Sequence, residues 1–349
     1  MADSPLMQSL GRLRKSGLTA LVGYALIALI AFWLIVNFSK DPKEFIQVGL
    51  IGLTNGLIFG LVALGYTLVY GILQLINFAH GDVFALSGLV ASTMIVSWLG
   101  LDKDASVLAI LGGMLLTLVV IMAVFAFVNV TIEFVAYRRL RSAPRLAALI
   151  TAVGMSFIVQ NVSLAMYDVN YRSVPSFIPR SEAFNIAGIS YSWNKLAVVV
   201  ITLPVLALLS WFVTSTKQGK AMRAVAQDTE ASAMMGINVN RTISVTFAIA
   251  GALAGAAAIV YLLQFNMRYD TGFELGLIAF TAAVLGGIGN LSGAVVGALV
   301  IGFIQAFNEG LSWHTPGSDW TRSIVFGILI AILVFRPEGL LGERTPEGA

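Results

Sequence analysis

The chain has no cysteine and only two histidines among 349 residues. That absence excludes a disulfide scaffold and thiolate metal sites, and it leaves too little imidazole for a histidine metal cluster. Charge is nearly as scarce: Asp, Glu, Lys and Arg make up 11% of the residues, where a soluble domain carries about a quarter. In their place stand 58% hydrophobic residues and a mean hydropathy of +0.88, the balance of a membrane protein. Nucleotide loops are missing too. Gly219-Lys220 lacks the upstream glycine and the following Ser or Thr of a phosphate loop. Gly287-x-Gly289 has no preceding strand, and its next glycine, Gly293, comes one residue too late for a dinucleotide turn. The net charge of +3 comes from short basic patches between apolar runs, which suits the positive-inside rule better than a nucleic-acid face.

Apolar runs near 18–37, 45–75, 83–99, 106–136, 146–166, 195–215, 242–264, 275–289, 293–309 and 321–336 fill nearly the whole chain. At roughly 20 apolar residues per crossing they predict an all-α, polytopic transmembrane helix bundle of about 8–10 spans. The organisation is an arm at 1–17, one transmembrane domain at 18–336 and a tail at 337–349. Leu18 to Val36 follows Arg12, Arg14 and Lys15 without an A-x-A pattern and reads as an uncleaved signal anchor. Setting the N-terminus in the cytoplasm puts 13 of the 21 Lys and Arg inside and 8 outside, with Arg138-Arg139-Leu140-Arg141 as the most compact inside patch. Both termini then face the cytoplasm.

Two stretches resist simple counting. Phe45 to Phe78 as one helix is ~50 Å long at 1.5 Å per residue, against an apolar core of ~30 Å. A break is expected, with Gly56, Gly60, Gly65, Gly71 and Gly81 as weak points. Gly286 to Gly293 joins two apolar runs without a charged loop. Both read either as interrupted or re-entrant elements lining a cavity, or as tight hairpins between closely packed helices. There is also an internal echo: Val69-Tyr70, Leu73-Gln74 and Asn77 resemble Val260-Tyr261, Leu263-Gln264 and Asn266, in runs of opposite direction. Opposed repeats with broken helices place a substrate path at their interface; chance similarity of two apolar segments is the alternative.

No catalytic constellation is visible. Most acidic residues fall in loops or at span ends, the exceptions being Asp82, close to His80, and Glu133, expected to pair with the arginines that follow it. The polar segment Ile76-Asn77-Phe78-Ala79-His80-Gly81-Asp82 interrupts two apolar runs, so His80 and Asp82 either cap helix ends or satisfy broken backbone, or else meet a solute. Gln74, Asn77, His80, Gln264 and Asn266 are the path candidates, neutral hydrogen-bonding groups amid apolar walls with no ring of fixed charge. The connection 215–241 differs in character. Asp228 can N-cap a short helix, Thr229 and Glu230 fall in its first turn, and Gly236 can end it. Between them Ala231, Ser232, Ala233, Met234 and Met235 offer a small, soft surface. It suits a partner's groove, or else lies back on the bundle.

Several motifs in order carry a resemblance: Asn77-Phe78-Ala79-His80-Gly81, Arg138-Arg139-Leu140-Arg141-Ser142, Leu149 to Ser156 (LITAVGMS) and Phe280 to Gly289 (FTAAVLGGIG). Over roughly residues 45–340 the chain resembles the LivH-type permease subunit of branched-chain amino acid ABC importers. Within it, Glu230-Ala231-Ser232 with Gly236 resembles the coupling motif of ABC permeases, with Ser232 where a second alanine is common. The downstream Ile-x-Leu-Pro part is absent. The resemblance implies a subunit of a bacterial plasma (inner) membrane complex with a second related permease, two ATP-binding cassette subunits and an extracytoplasmic solute-binding protein. ATP and Mg would be bound by the ATPase subunits, and this chain would hold no cofactor and no enzymatic site. Residues 228–236 would couple it to an ATPase. Related urea permeases share much of the pattern, so a urea or short-amide solute is the alternative. A secondary carrier or channel is a second class, opposed by the lack of paired intramembrane carboxylates, and a membrane enzyme relying on His80 and Asp82 is a third.

Overall fold

The computed structural model describes residues 28–342 except 142, 180 and 337, together with 23 and 25. The expected arm at 1–17, most of the first apolar run with its preceding basic residues, and the tail beyond 342 lie outside the described residues. The chain forms α1 (Ala28–Lys40), α2 (Pro42–Leu73), α3 (Ala79–Thr93), α4 (Val107–Ile132) and α5 (Arg145–Tyr167). A hairpin of β1 (Glu182–Ile186) and β2 (Ile189–Ser192) follows, then α6 (Trp193–Ser215), α7 (Lys217–Gln227), α8 (Thr229–Met234) and α9 (Val239–Leu262). Last come α10 (Thr271–Gly286), α11 (Leu291–Gly310) and α12 (Ser318–Phe335). Eight helices among the described residues are long and apolar enough to cross a membrane: α2, α3 with its π-helical extension to Trp98, α4, α5, α6, α9, α11 and α12.

Burial separates an interior from a ring. Of their most apolar windows, α2, α3 and α9 bury 72–83%, whereas α4, α5, α6 and α12 bury only 11–22%. The exposed faces of α4 and α6 carry Leu108, Leu111 and Phe127, and Val200, respectively, a surface matched to lipid tails. Small residues let the inner helices approach: a Cβ at Gly56 of α2 would lie 2.8 Å from the Leu299 Cα of α11, and one at Gly251 of α9 would collide with the Phe125 carbonyl of α4. A close approach of this kind gains dispersion contacts where lipid offers no hydrophobic driving force between helices.

The break expected within Phe45 to Phe78 falls at residues 74–78 and at none of the four expected weak points inside α2, Gly56, Gly60, Gly65 and Gly71. Gly56 and Gly60 face α11 inside an unbroken helix of 32 residues, roughly 48 Å at 1.5 Å per residue. Asp41 starts it, accepting the Lys43 and Glu44 amides at 3.0 and 2.9 Å ahead of Pro42. It ends where Gln74 turns left-handed at φ 51°. The run expected to cross at 275–289 is shorter than a span: α10 has 16 residues, about 24 Å. The chain before it turns back into the protein, with Met267 fully buried and paired to Arg172 by two backbone hydrogen bonds of 2.8 Å. That pairing satisfies backbone where no regular helix can. Gly287 and Gly289, at φ 108° and 92°, reverse the chain into α11. The Leu340 and Leu341 amides reach back to the Leu285 and Gly286 carbonyls at 2.7 and 2.9 Å, capping α10.

The β-hairpin was not foreseen. Ala187 and Gly188 both have positive φ (55° and 86°), as a two-residue turn matched to strand twist requires. Tyr191 anchors the hairpin on α2 through a 2.6 Å hydrogen bond with Thr54.

Candidate functional site

The segment that ends α2 and starts α3 is drawn into the centre of the bundle. Asn77, His80 and Asp82 are 2%, 0% and 1% exposed. The His80 ring occupies the space a side chain would take at Gly65 and meets the Tyr66 ring edge-on at 4.9 Å. Tyr66 OH accepts the Gly81 amide at 3.1 Å. Tyr137, where the π turn that extends α4 ends, donates to Asn77 Oδ1 at 2.8 Å, and Ser156 of α5 donates to Asp82 Oδ2. Neither His80 nor Asp82 caps α3, whose first residues follow Phe78 without a side-chain cap. Both side chains are instead held across to other helices. Asn77 Nδ2, both His80 ring nitrogens and Asp82 Oδ1 have no hydrogen-bond partner, so four buried polar atoms remain available at this junction.

The partner segment is the chain between α9 and α10, and the two meet reciprocally. A Cβ at Gly81 would strike the Gly272 carbonyl, and one at Gly272 would strike the Gly81 carbonyl. Gly81 also lies against Gly276, as Gly272 lies against Ala85. Gly81 and Gly272 are 191 positions apart, as are Ala85 and Gly276, Val69 and Val260, and Tyr70 and Tyr261. The flanks follow the same exchange: α2 packs chiefly on α11, and α9 chiefly on α4. With α2–α4 as one set of three and α9–α11 as the other, the first helix of each is thus covered by the last helix of the other, the arrangement of two intertwined repeats.

The five path candidates do not form one lining. Asn77 borders a crevice between α2 and α10 with Tyr66, Tyr70 and Phe280, of about 10 Å³, near the minimum that holds one water. No amino acid fits there in this conformation. His80 lies sealed beneath Tyr66, and Gln74 is an exposed cap residue. Gln264 and Asn266 line a different cleft, of about 130 Å³, with Ser173 to Ile178; Gln264 Oε1 accepts from Asn194 at 3.4 Å. Tyr66, Tyr137 and Ser156 were missed as members of the first cluster. Ser156 lay within the recognised LITAVGMS string, which was the one signal for it.

Two polar assemblies flank the core. Glu133 is fully buried and paired with Arg138 (2.8 Å) and Arg141, while Ser244 of α9 donates to it at 2.8 Å. This fixes the end of α4 against α9. The connection 215–241 turns away from the spans at Thr216, and Arg223 donates to the Val213 and Thr214 carbonyls that end α6. Asp228 then accepts the Ala231 amide at 2.8 Å, and α8 closes with Gly236 at φ 83°. Met234 and Met235 project at its tip, 82% and 84% exposed, whereas Ser232 is buried. Among the described residues no group of three or more His, Asp or Glu could hold a metal.

Residues 49–334 match the family described as the branched-chain amino acid transport system permease component. The high-affinity branched-chain amino acid transport system permease protein BraD of Pseudomonas aeruginosa is 36% identical over 87% of this chain and 98% of its own length. LivH of Salmonella typhimurium, a permease protein of the same type of system, is 34% identical over 88% of this chain and 99% of its own. A solved structure of PsaBC from Streptococcus pneumoniae aligns with 88% of this chain and 97% of its own at 13% identity and a TM-score of 0.43. With relatives matched almost end to end and a helix bundle of the expected kind, the chain belongs to the permease-component family of branched-chain amino acid transport systems.

Proposed function

We propose that this chain forms part of the membrane passage of an ATP-driven importer of branched-chain and other neutral amino acids. The observation that carries the reading is the end-to-end similarity to BraD and LivH, which favours amino acids over urea or short amides. The chain supplies no motor of its own. It works with a second related permease, two ATP-binding cassette subunits that bind ATP and Mg, and an extracytoplasmic solute-binding protein, in the bacterial plasma membrane. Both termini and the 215–241 connection face the cytoplasm, in keeping with the basic patches at Arg138 to Arg141 and Lys217 to Arg223. The α8 tip, with Met234 and Met235 free of contacts that would bury them, enters a groove on an ATPase subunit.

The solute passes where the two repeats meet, along the Asn77 segment, once the crevice between α2 and α10 opens. Neutral groups there let a zwitterion pass without holding it tightly, and selection falls to the binding protein. Uptake of leucine, alanine, proline and urea by proteoliposomes containing the whole complex tests the assignment. ATP-dependent leucine uptake that requires this chain is the expected result, and urea uptake without any amino-acid uptake overturns it.

A further inference from the structure

A cleft between α10 and α12 is separate from the Asn77 crevice and from the α8 tip. Its volume is about 290 Å³, near the lower end of the ~300–1,000 Å³ typical of small-molecule sites. Two ion pairs face it. Arg322 on α12 holds Glu274 on α10 through a two-pronged contact of 2.8 and 2.7 Å, and Arg268 holds Asp270 at 2.6 and 2.5 Å. Phe273 and Phe326 give it an apolar wall and are themselves half exposed.

We propose that this cleft is an acceptor site for a zwitterionic aliphatic amino acid; the inference rests on the amino-acid reading above and adds a place where the solute pauses. Paired charges still have capacity. A guanidinium has five N–H donors, and Arg322 commits two of them to Glu274, which leaves donors for an incoming carboxylate. An ionised carboxylate accepts at about four lone-pair positions, so Glu274 can also take an ammonium. The two pairs sum to zero charge, and a ligand carrying one charge of each sign meets both without leaving either unmatched. A ligand with a single charge satisfies one side only. The aromatic wall takes the aliphatic side chain, which free glycine or urea lacks.

The absence of native cysteine allows a direct test in the assembled complex. Phe326→Cys puts one thiol in the cleft, and its alkylation by a small maleimide is followed on this chain without binding protein or ATP. Leucine at about twice its Kd slows the reaction about three-fold by mass action. Isoamylamine and 4-methylpentanoate, which keep the side chain and one charge each, leave the rate nearly unchanged. Arg322→Gln and Glu274→Gln each abolish leucine protection; if either variant fails to assemble, the analogue comparison on Phe326→Cys alone decides. The proposal is overturned if leucine gives no protection, if one single-charge analogue protects equally, or if the rate follows the phosphatidylethanolamine content of the vesicles instead. ATP-driven leucine uptake is measured on the same vesicles. Uptake without protection sinks the cleft alone, whereas loss of leucine uptake with urea uptake retained sinks the amino-acid reading itself.

Discussion

Gly236 offers the sharpest test of α8 as a docking element, because its structural role can be separated from its size. It closes the helix with two bonds, its own amide to the Ala233 carbonyl and the Ile237 amide to the Ser232 carbonyl, each 3.0 Å. That pair defines a left-handed stop, and φ is 83°. A Cβ added there meets nothing within 4 Å, so alanine introduces no clash. Its cost is conformational: an L-residue in the left-handed region is disfavoured by roughly 1–2 kcal/mol, whereas asparagine visits that region more readily. For a helix of six residues, that is a large share of what holds it. The correctly ended loop therefore loses statistical weight by about 5- to 30-fold, and apparent affinity for a partner falls with the competent fraction, up to that factor. Titrating purified ATPase subunit onto membranes bearing Gly236→Asn, Gly236→Ala and Gly236→Arg should give affinities falling in that order from the wild type. Arginine adds a charged chain at the contact to the same backbone cost. If the alanine and arginine variants bind and stimulate hydrolysis like the wild type, the reasoning is refuted, both for the stop and for the docking.

Three other expectations can be checked independently. Gly65→Ala directs a methyl into the His80 ring and should lower thermal stability in detergent by about 1–3 kcal/mol; adding His80→Ala should recover part of it, and no recovery would show that the strain lies elsewhere. Asn77→Leu should slow uptake of every accepted solute by a similar factor while leaving the binding protein's ranking untouched, with Tyr137→Phe, which removes a 2.8 Å bond to Asn77, weakening the site by about 1 kcal/mol. A normal rate in an inserted Asn77→Leu variant would mark the segment as structural. For sidedness, Ser232 is too buried to report, so the thiol belongs at Met235; labelling of Met235→Cys by an impermeant reagent added outside intact cells would contradict the cytoplasmic placement.

Much of the spanning pattern was legible because membrane crossing leaves a coarse signal, a long run of apolar residues. The misjudged places are those where packing outweighs that signal. Glycines in α2 read as weak points because glycine lowers helix propensity, yet Gly56 sits where only a hydrogen fits against α11. Its small size lets the unbroken helix lie close against its neighbour. At 275–289 the apolar run predicted a crossing, but several of its glycines and alanines, Ala279, Ala282, Ala283 and Gly286 among them, face protein on nearly every side. Such a segment can be short, since it never has to present a full apolar length to lipid. The β-hairpin escaped because its strands are only 5 and 4 residues long, below what alternation can reveal amid flanking spans.

The site was only partly legible, for a related reason. Matching Gln74 to Gln264 and Asn77 to Asn266 follows loops, where the spacing slips by one or two positions. Loops are where the repeats diverge, which is why those residues line different clefts. The constant spacing of 191 holds instead on the helices, at Tyr70 and Tyr261 and again at Gly81 and Gly272. There the two halves touch, and a side chain on either glycine would strike the other's backbone. A mutual contact constrains both partners together, so it preserves register where a loop does not. At these glycines α3 and α10 cross with backbone against backbone. Gly81 and Gly272 join α3 to α10, whereas Tyr66 and Phe280 line the crevice between α2 and α10, so the tight glycine contact and the crevice wall belong to different helix pairs.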